Sequence, residues 1–113
     1  MDANELRIGN YAYENGIALP MNIHDINCIY KNYYHGEKYK PIPLTEEWLL
    51  KFGFKKWNSK GITYSKGVLI IHLRKRGFVI NKRFVEPKHV HQLQNLYYAL
   101  TGKELSIKIN NQK

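Results

Sequence analysis

A chain of 113 residues, 43% hydrophobic and 24% charged, is long enough to bury one core and too short for two domains that each build their own, so residues 1–113 read as a single domain. Eighteen Lys and Arg against nine Asp and Glu give a formal charge of +9 and a pI near 9.7, which points to an acidic partner, nucleic acid foremost. The apolar run Val68-Leu69-Ile70-Ile71, like every other in the chain, is far short of the ~20 residues of a membrane span. Cys28 has no second cysteine to pair with, and the polar, acidic N-terminus lacks the pattern of a secretory leader, so no membrane and a cytoplasmic location are expected.

Turn residues divide the first part of the chain into short strands. Leu6-Arg7-Ile8 runs up to Gly9-Asn10, Tyr11-Ala12-Tyr13 up to Asn15-Gly16, and Ile17-Ala18-Leu19 stops at Pro20. From His24 to Tyr30, Ile26, Cys28 and Tyr30 recur at period two, the pattern of a strand with one apolar face. A short helix is expected from about 46 to 52. Thr45 is placed to cap it, Glu46 and Glu47 suit the positive end of its dipole, Leu44 packs on Leu49, and Gly53 stops it. Its buried stripe is Trp48, Leu49 and Phe52.

A second strand region follows. Gly61-Ile62-Thr63-Tyr64 meets Val68 to Leu73 across Ser65-Lys66-Gly67, and the Lys75-Arg76-Gly77 turn leads into Phe78-Val79-Ile80, a three-stranded meander. Val90, Leu93, Leu96, Tyr97 and Leu100 have helical spacing, with Pro87 suited to a first turn and Gly102 to the stop. Leu105 to Ile109 alternates as a last strand. The fold class expected is α+β: a strongly bent antiparallel sheet or small open barrel carrying one short helix and one longer one near 88–101.

The charge is local. Residues 1–30 carry −3, whereas residues 51–88 hold eleven Lys and Arg against Glu86 alone. In that stretch the cations alternate with aromatic rings: Phe52-Gly53-Phe54-Lys55-Lys56-Trp57, Arg74-Lys75-Arg76-Gly77-Phe78 and Lys82-Arg83-Phe84. Cations neutralise phosphates and an exposed ring stacks on an unpaired base. Lys55, Lys56, Trp57, Lys60, Lys66, Arg74, Lys75, Arg76, Lys82 and Arg83 are therefore the candidate RNA contacts. The competing reading makes Phe54, Trp57, Phe78 and Phe84 core residues and the lysines solubilising charges on a strand edge.

Other chemistry is weakly specified. His24 and Cys28, and His89 and His91, are pairs without the repeated ligands of a structural zinc site, so neither metal nor cofactor is expected. Cys28, between Ile26 and Tyr30, reads as a buried, inert thiol, and Glu46-Glu47 is explained by the helix start. Phosphate-loop and dinucleotide fingerprints are absent. A metal-free ribonuclease or toxin-like enzyme is the catalytic alternative, if His72, Tyr64, Arg74, Arg76 and Lys82 converge across the meander.

Residues 5–11 (Glu5-Leu6-Arg7-Ile8-Gly9-Asn10-Tyr11), 41–54 (from Pro41-Ile42-Pro43-Leu44 to Phe52-Gly53-Phe54) and 89–105 (His89-Val90-His91-Gln92-Leu93-Gln94-Asn95-Leu96-Tyr97-Tyr98 through Leu105) resemble a group of small proteins from phages and mobile elements of Bacteroidetes. The resemblance implies that these blocks are scaffold and that the basic part between them, where it does not extend, holds the specific partner. Phage accessory proteins of this size, anti-CRISPR proteins among them, act by blocking host machinery. The expectation is thus a non-enzymatic inhibitor of a host defence complex, working in the cytoplasm of the infected or lysogenic host through guide RNA or an RNA-binding surface of an RNA-guided effector. A phage structural protein is the remaining alternative, and the oligomeric state is left open. At +9 the chain is not an acidic nucleic-acid mimic.

Overall fold

The computed structural model describes residues 3–31, 38–57, 63–74, 77–80 and 86–107. It is α+β, with a three-stranded and a four-stranded antiparallel sheet and three α-helices among the described residues. The strongly bent antiparallel sheet expected fits this arrangement loosely, since the strands divide into two sheets, and among the described residues no barrel closes.

The N-terminal segment differs from its expected form. Ala3–Glu5 is one turn of 3-10 helix, and Leu6-Arg7-Ile8 is not a strand. Asn10 explains this: its side-chain oxygen accepts the Arg7 N–H at 2.7 Å while its own N–H bonds the Arg7 carbonyl at 3.0 Å. Gly9 takes a φ of +95° between them, so the backbone closes on itself rather than on a ladder. β1 (Tyr11–Glu14) and β2 (Ile17–Pro20) follow as the expected hairpin. Asn15 and Gly16 both have positive φ, which the tight turn requires.

Ile23–Tyr30 is a helix, α1, where alternation predicted a strand. Its start is fixed by a reciprocal cap: the Asp25 N–H bonds the Asn22 side chain at 2.9 Å and the Asn22 N–H bonds the Asp25 carboxylate at 3.0 Å. Ile26 and Ile29 pack on a small cluster of Leu6, Ala12 and Met21 over one face of the hairpin. The Tyr39 hydroxyl, on β3 (Tyr39–Lys40) beside β1, donates to Asp25 at 2.9 Å and ties α1 to the sheet.

The helix expected near 46–52 is α2, Glu46–Lys51, with Trp48, Leu49 and Phe52 buried. Thr45 stands at its N-cap but makes no side-chain capping bond. At the other end Gly53 has a φ of +91°, and the N–H of Phe54 bonds the Leu49 carbonyl. The meander has one strand more than expected, in the order β4 (Lys55–Lys56), β5 (Thr63–Lys66), β6 (Leu69–Arg74), β7 (Gly77–Ile80). Ser65 and Lys66 belong to β5, because Lys66 pairs with Leu69 and the turn falls on Gly67-Val68. Gly61, Ile62 and the Lys75-Arg76 turn lie outside the described residues.

α3 spans Val90–Thr101 and ends on Gly102, whose φ is +75°. Pro87 precedes the helix instead of opening it. The cap position is His89, and Gln92 reaches back to accept the N–H groups of Lys88 and His89 at 2.8 and 3.1 Å. Leu105–Ile107 forms no strand; Leu105 is buried in the core beside α3, and Lys108 and Ile109 lie outside the described residues.

The main core lies between the inner face of the four-stranded sheet (Tyr64, Leu69, Ile71, Phe78, Ile80), α2, and the Val90, Leu93 and Tyr97 stripe of α3. Tyr11 of β1 joins it through ring contacts with Trp48 and Phe52 at 5.4 and 6.2 Å. Around this core, residues 5–11, 41–54 and 89–105 bind one another directly. Val90 N–H bonds the Ile42 carbonyl, Leu44 N–H bonds the carbonyl of Lys88 just ahead of the third block, and the Gln94 side chain pairs with the Tyr11 N–H and the Gly9 carbonyl.

Candidate nucleic-acid interface

The register of the four-stranded sheet sorts its side chains. Tyr64 opposes Ile71, and Ile71 opposes Ile80, all on the core face. Alternation then places the other set on the outer face. Lys55, Ser65 and Ile70 form one cross-strand row. Trp57, Thr63, His72 and Val79 form the next, and Arg74 opposite Gly77 lies beyond.

Trp57 extends this arrangement past the end of β4. Its N–H bonds the Thr63 carbonyl at 2.9 Å, and its indole Nε1–H donates to Ser65 Oγ at 2.8 Å, so the ring is fixed across β5 while 59% of the residue stays exposed. Lys55 is exposed two residues along the chain from Trp57, about 7 Å, whereas the exposed Arg74 lies on β6, two strands across from Trp57 and one row beyond it, roughly 12 Å away. His72 Nδ1 lies 3.2 Å from Thr63 Oγ1, which fixes the imidazole in the same row.

Comparison with protein-family models, with curated proteins and with solved structures yields no match. The chemistry available to this face is that of its own side chains: an immobilised indole with Lys55 beside it and Arg74 two strands across, on a half-exposed sheet.

Other candidate residues belong elsewhere. Lys56 points to the core side and pairs with Glu46. Its hydrogen bond, and a second from Tyr64, hold the Glu46 carboxyl below its ordinary range. Burial and Glu46 together push the Tyr64 hydroxyl up to about 12. Lys66 donates to the Phe52 carbonyl at 2.9 Å, at the negative end of α2. Both lysines thus clamp the short helix to the sheet. Phe54 and Phe78 are buried, as the competing reading had them, whereas Trp57 is exposed. Lys60, Lys75, Arg76, Lys82, Arg83 and Phe84 lie outside the described residues.

The convergence needed by a ribonuclease is not formed by its described members. Tyr64 is buried on the core face, opposite to His72 and Arg74, and Arg76 and Lys82 lie outside the described residues. His24 Nε2 approaches the buried Cys28 sulfur at 3.6 Å on one side of α1, and the His89 and His91 rings stack with centroids 5.8 Å apart. Among the described residues no group of three or more His, Cys, Asp or Glu side chains is arranged to hold a metal ion, and no helix is long and apolar enough to cross a membrane.

Ser65 and Thr63 are the residues of this face that sequence reading missed. Ser65 was expected in a turn. The signal was present in the alternation of Thr63 and Ser65 against Tyr64 and Lys66, which continues two residues past the expected strand end.

Proposed function

We propose that the chain is a non-enzymatic RNA-binding protein that acts by occupancy, with the outer face of the β4–β7 sheet as its contact. The observation that supports this reading is the placement of Lys55, Trp57 and Arg74 on one half-exposed face, with the ring already fixed. The two cations displace counterions from phosphates, the ring offers a surface to a base, and the +10 of residues 51–88 draws a polyanion to this part of the chain rather than to the −3 of residues 1–30. The guide RNA of an RNA-guided defence complex, in the cytoplasm of an infected bacterium, is the target that the resemblance to phage proteins adds to this reading.

Salt titration tests it. The affinity for labelled RNA should fall steeply from low to moderate salt, and the double variant Lys55→Ala/Arg74→Ala should lower the log–log slope by about two, one for each phosphate contact. An unchanged slope removes this face from the reading, and binding that ignores salt removes nucleic acid altogether. Occupancy further requires that RNA stay intact over hours, with or without divalent metal. Cleavage that survives repurification and is lost in His72→Ala would put catalysis in its place.

A further inference from the structure

We infer that the face selects unpaired RNA, one base lying on the indole of Trp57 while the backbone runs between Lys55 and Arg74; this rests on the RNA-binding reading above. Phe52, Phe54, Tyr64 and Phe78, the other described Phe and Tyr rings of the basic region, are all buried, and the half-buried His72 imidazole is engaged with Thr63, so among the described residues Trp57 offers this face its one large exposed ring. Trp57 is also the ring whose freedom is already removed. Its backbone continues the β5 ladder, and the bond to Ser65 Oγ holds the indole edge against the strand. A ring kept only for solubility or chance exposure needs no such bond, whereas a stacking surface gains affinity from being ordered before the base arrives.

The partner follows from the geometry. A base pair within a duplex has both faces covered by its neighbours and presents only edges and phosphates. The major groove of duplex RNA is too deep and narrow for side chains to read, and its minor groove is wide and shallow. A sheet face with one large exposed ring and cations spaced diagonally across the strands matches neither groove. An unpaired strand presents base faces and phosphates together, and this sheet offers the ring with Lys55 about 7 Å along β4 and Arg74 two strands across on β6, roughly 12 Å away, so a backbone crossing the strands passes from one cation to the other by way of the ring.

The test titrates labelled oligouridine and a labelled RNA duplex of equal length against the wild type, Trp57→Ala, Trp57→Phe and Ser65→Ala, with thermal melts to verify folding. Trp57→Ala should weaken oligouridine binding roughly 5- to 150-fold and leave duplex binding nearly unchanged. Trp57→Phe should restore most of the loss, and Ser65→Ala should lose part of it. The salt slope should stay at the wild-type value in Trp57→Ala, because no charge is removed. Indole emission quenched by oligouridine in the wild type and not in Trp57→Phe would place the base on this ring, Trp48 being buried in both. Equal binding of strand and duplex, or indifference to Trp57→Ala, overturns the inference; if Lys55→Ala/Arg74→Ala still flattens the salt slope, the RNA-binding reading survives that result. Absence of RNA binding by the wild type overturns both.

Discussion

His91 occupies the most demanding position among the described histidines. It is 2% exposed, its Nε2 lies 3.2 Å from a Glu5 carboxylate oxygen, and its buried Nδ1 has no partner. Desolvation lowers its affinity for a proton and outweighs the attraction of Glu5, with His89 stacked alongside and adding to the repulsion. The folded protein therefore holds His91 neutral where the unfolded chain begins to protonate, near pH 6.5. Its contribution to stability is complete above that pH and is lost as pH falls below it toward the folded value. The melting temperature should drop from about pH 7.5 to about pH 5.5, before carboxylates titrate, and His91→Gln should flatten that drop. Asn95 is a second polar residue whose loss should be felt. It accepts from Asn10 at 3.0 Å and from Arg7 at 3.1 Å, so Asn95→Ala strands the buried Asn10 amide. Denaturant unfolding should register a loss of about 1–3 kcal/mol. A loss within error would mean that Asn10 finds another acceptor.

Among the elements, α3 and α2 were legible because their apolar residues recur every three to four positions and glycine follows each of them. Leu93, fully buried in that α3 stripe, should cost roughly 2–5 kcal/mol on truncation to Ala, and an unchanged melting temperature would mean that the stripe faces a partner instead. α1 was misread because Ile26, Cys28 and Tyr30 satisfy period two by chance of composition. The deciding residues were Asn22 and Asp25, whose spacing specifies a helix start and whose side chains take up the first free N–H groups. Strand Leu6-Arg7-Ile8 failed for a related reason, a short polar side chain at Asn10 that competes with the ladder. The candidate site divides along the same line. Sequence placed Lys55, Lys56 and Lys66 together by charge, but only pairing shows that Lys55 faces outward while Lys56 and Lys66 reach back to α2. A strand one residue long or short reverses that assignment, and no charge count contains the register.

At the scale of the whole molecule, the segment around Arg7 is fastened to α3 and the residues after it almost wholly by polar groups. The Arg7 guanidinium pairs with Glu104, lies 4.0 Å over the Tyr98 ring and donates to Asn95, while Asn10 and Tyr11 reach Asn95 and Gln94. These partners are separated by 83 to 97 positions along the chain. A ribosome releases the first of each pair long before the last, so this seam closes only after α3 has emerged, although the β1–β2 hairpin can form while the chain is still being made. The contacts of Arg7 should accordingly be late ones. Stopped-flow measurements on Arg7→Ala should find refolding close to the wild-type rate and unfolding accelerated, and slowed refolding would place the seam in the nucleus instead. The stretch from Arg7 to Asn10 would then spend its time on the ribosome without its partners, waiting for the helix that completes the seam.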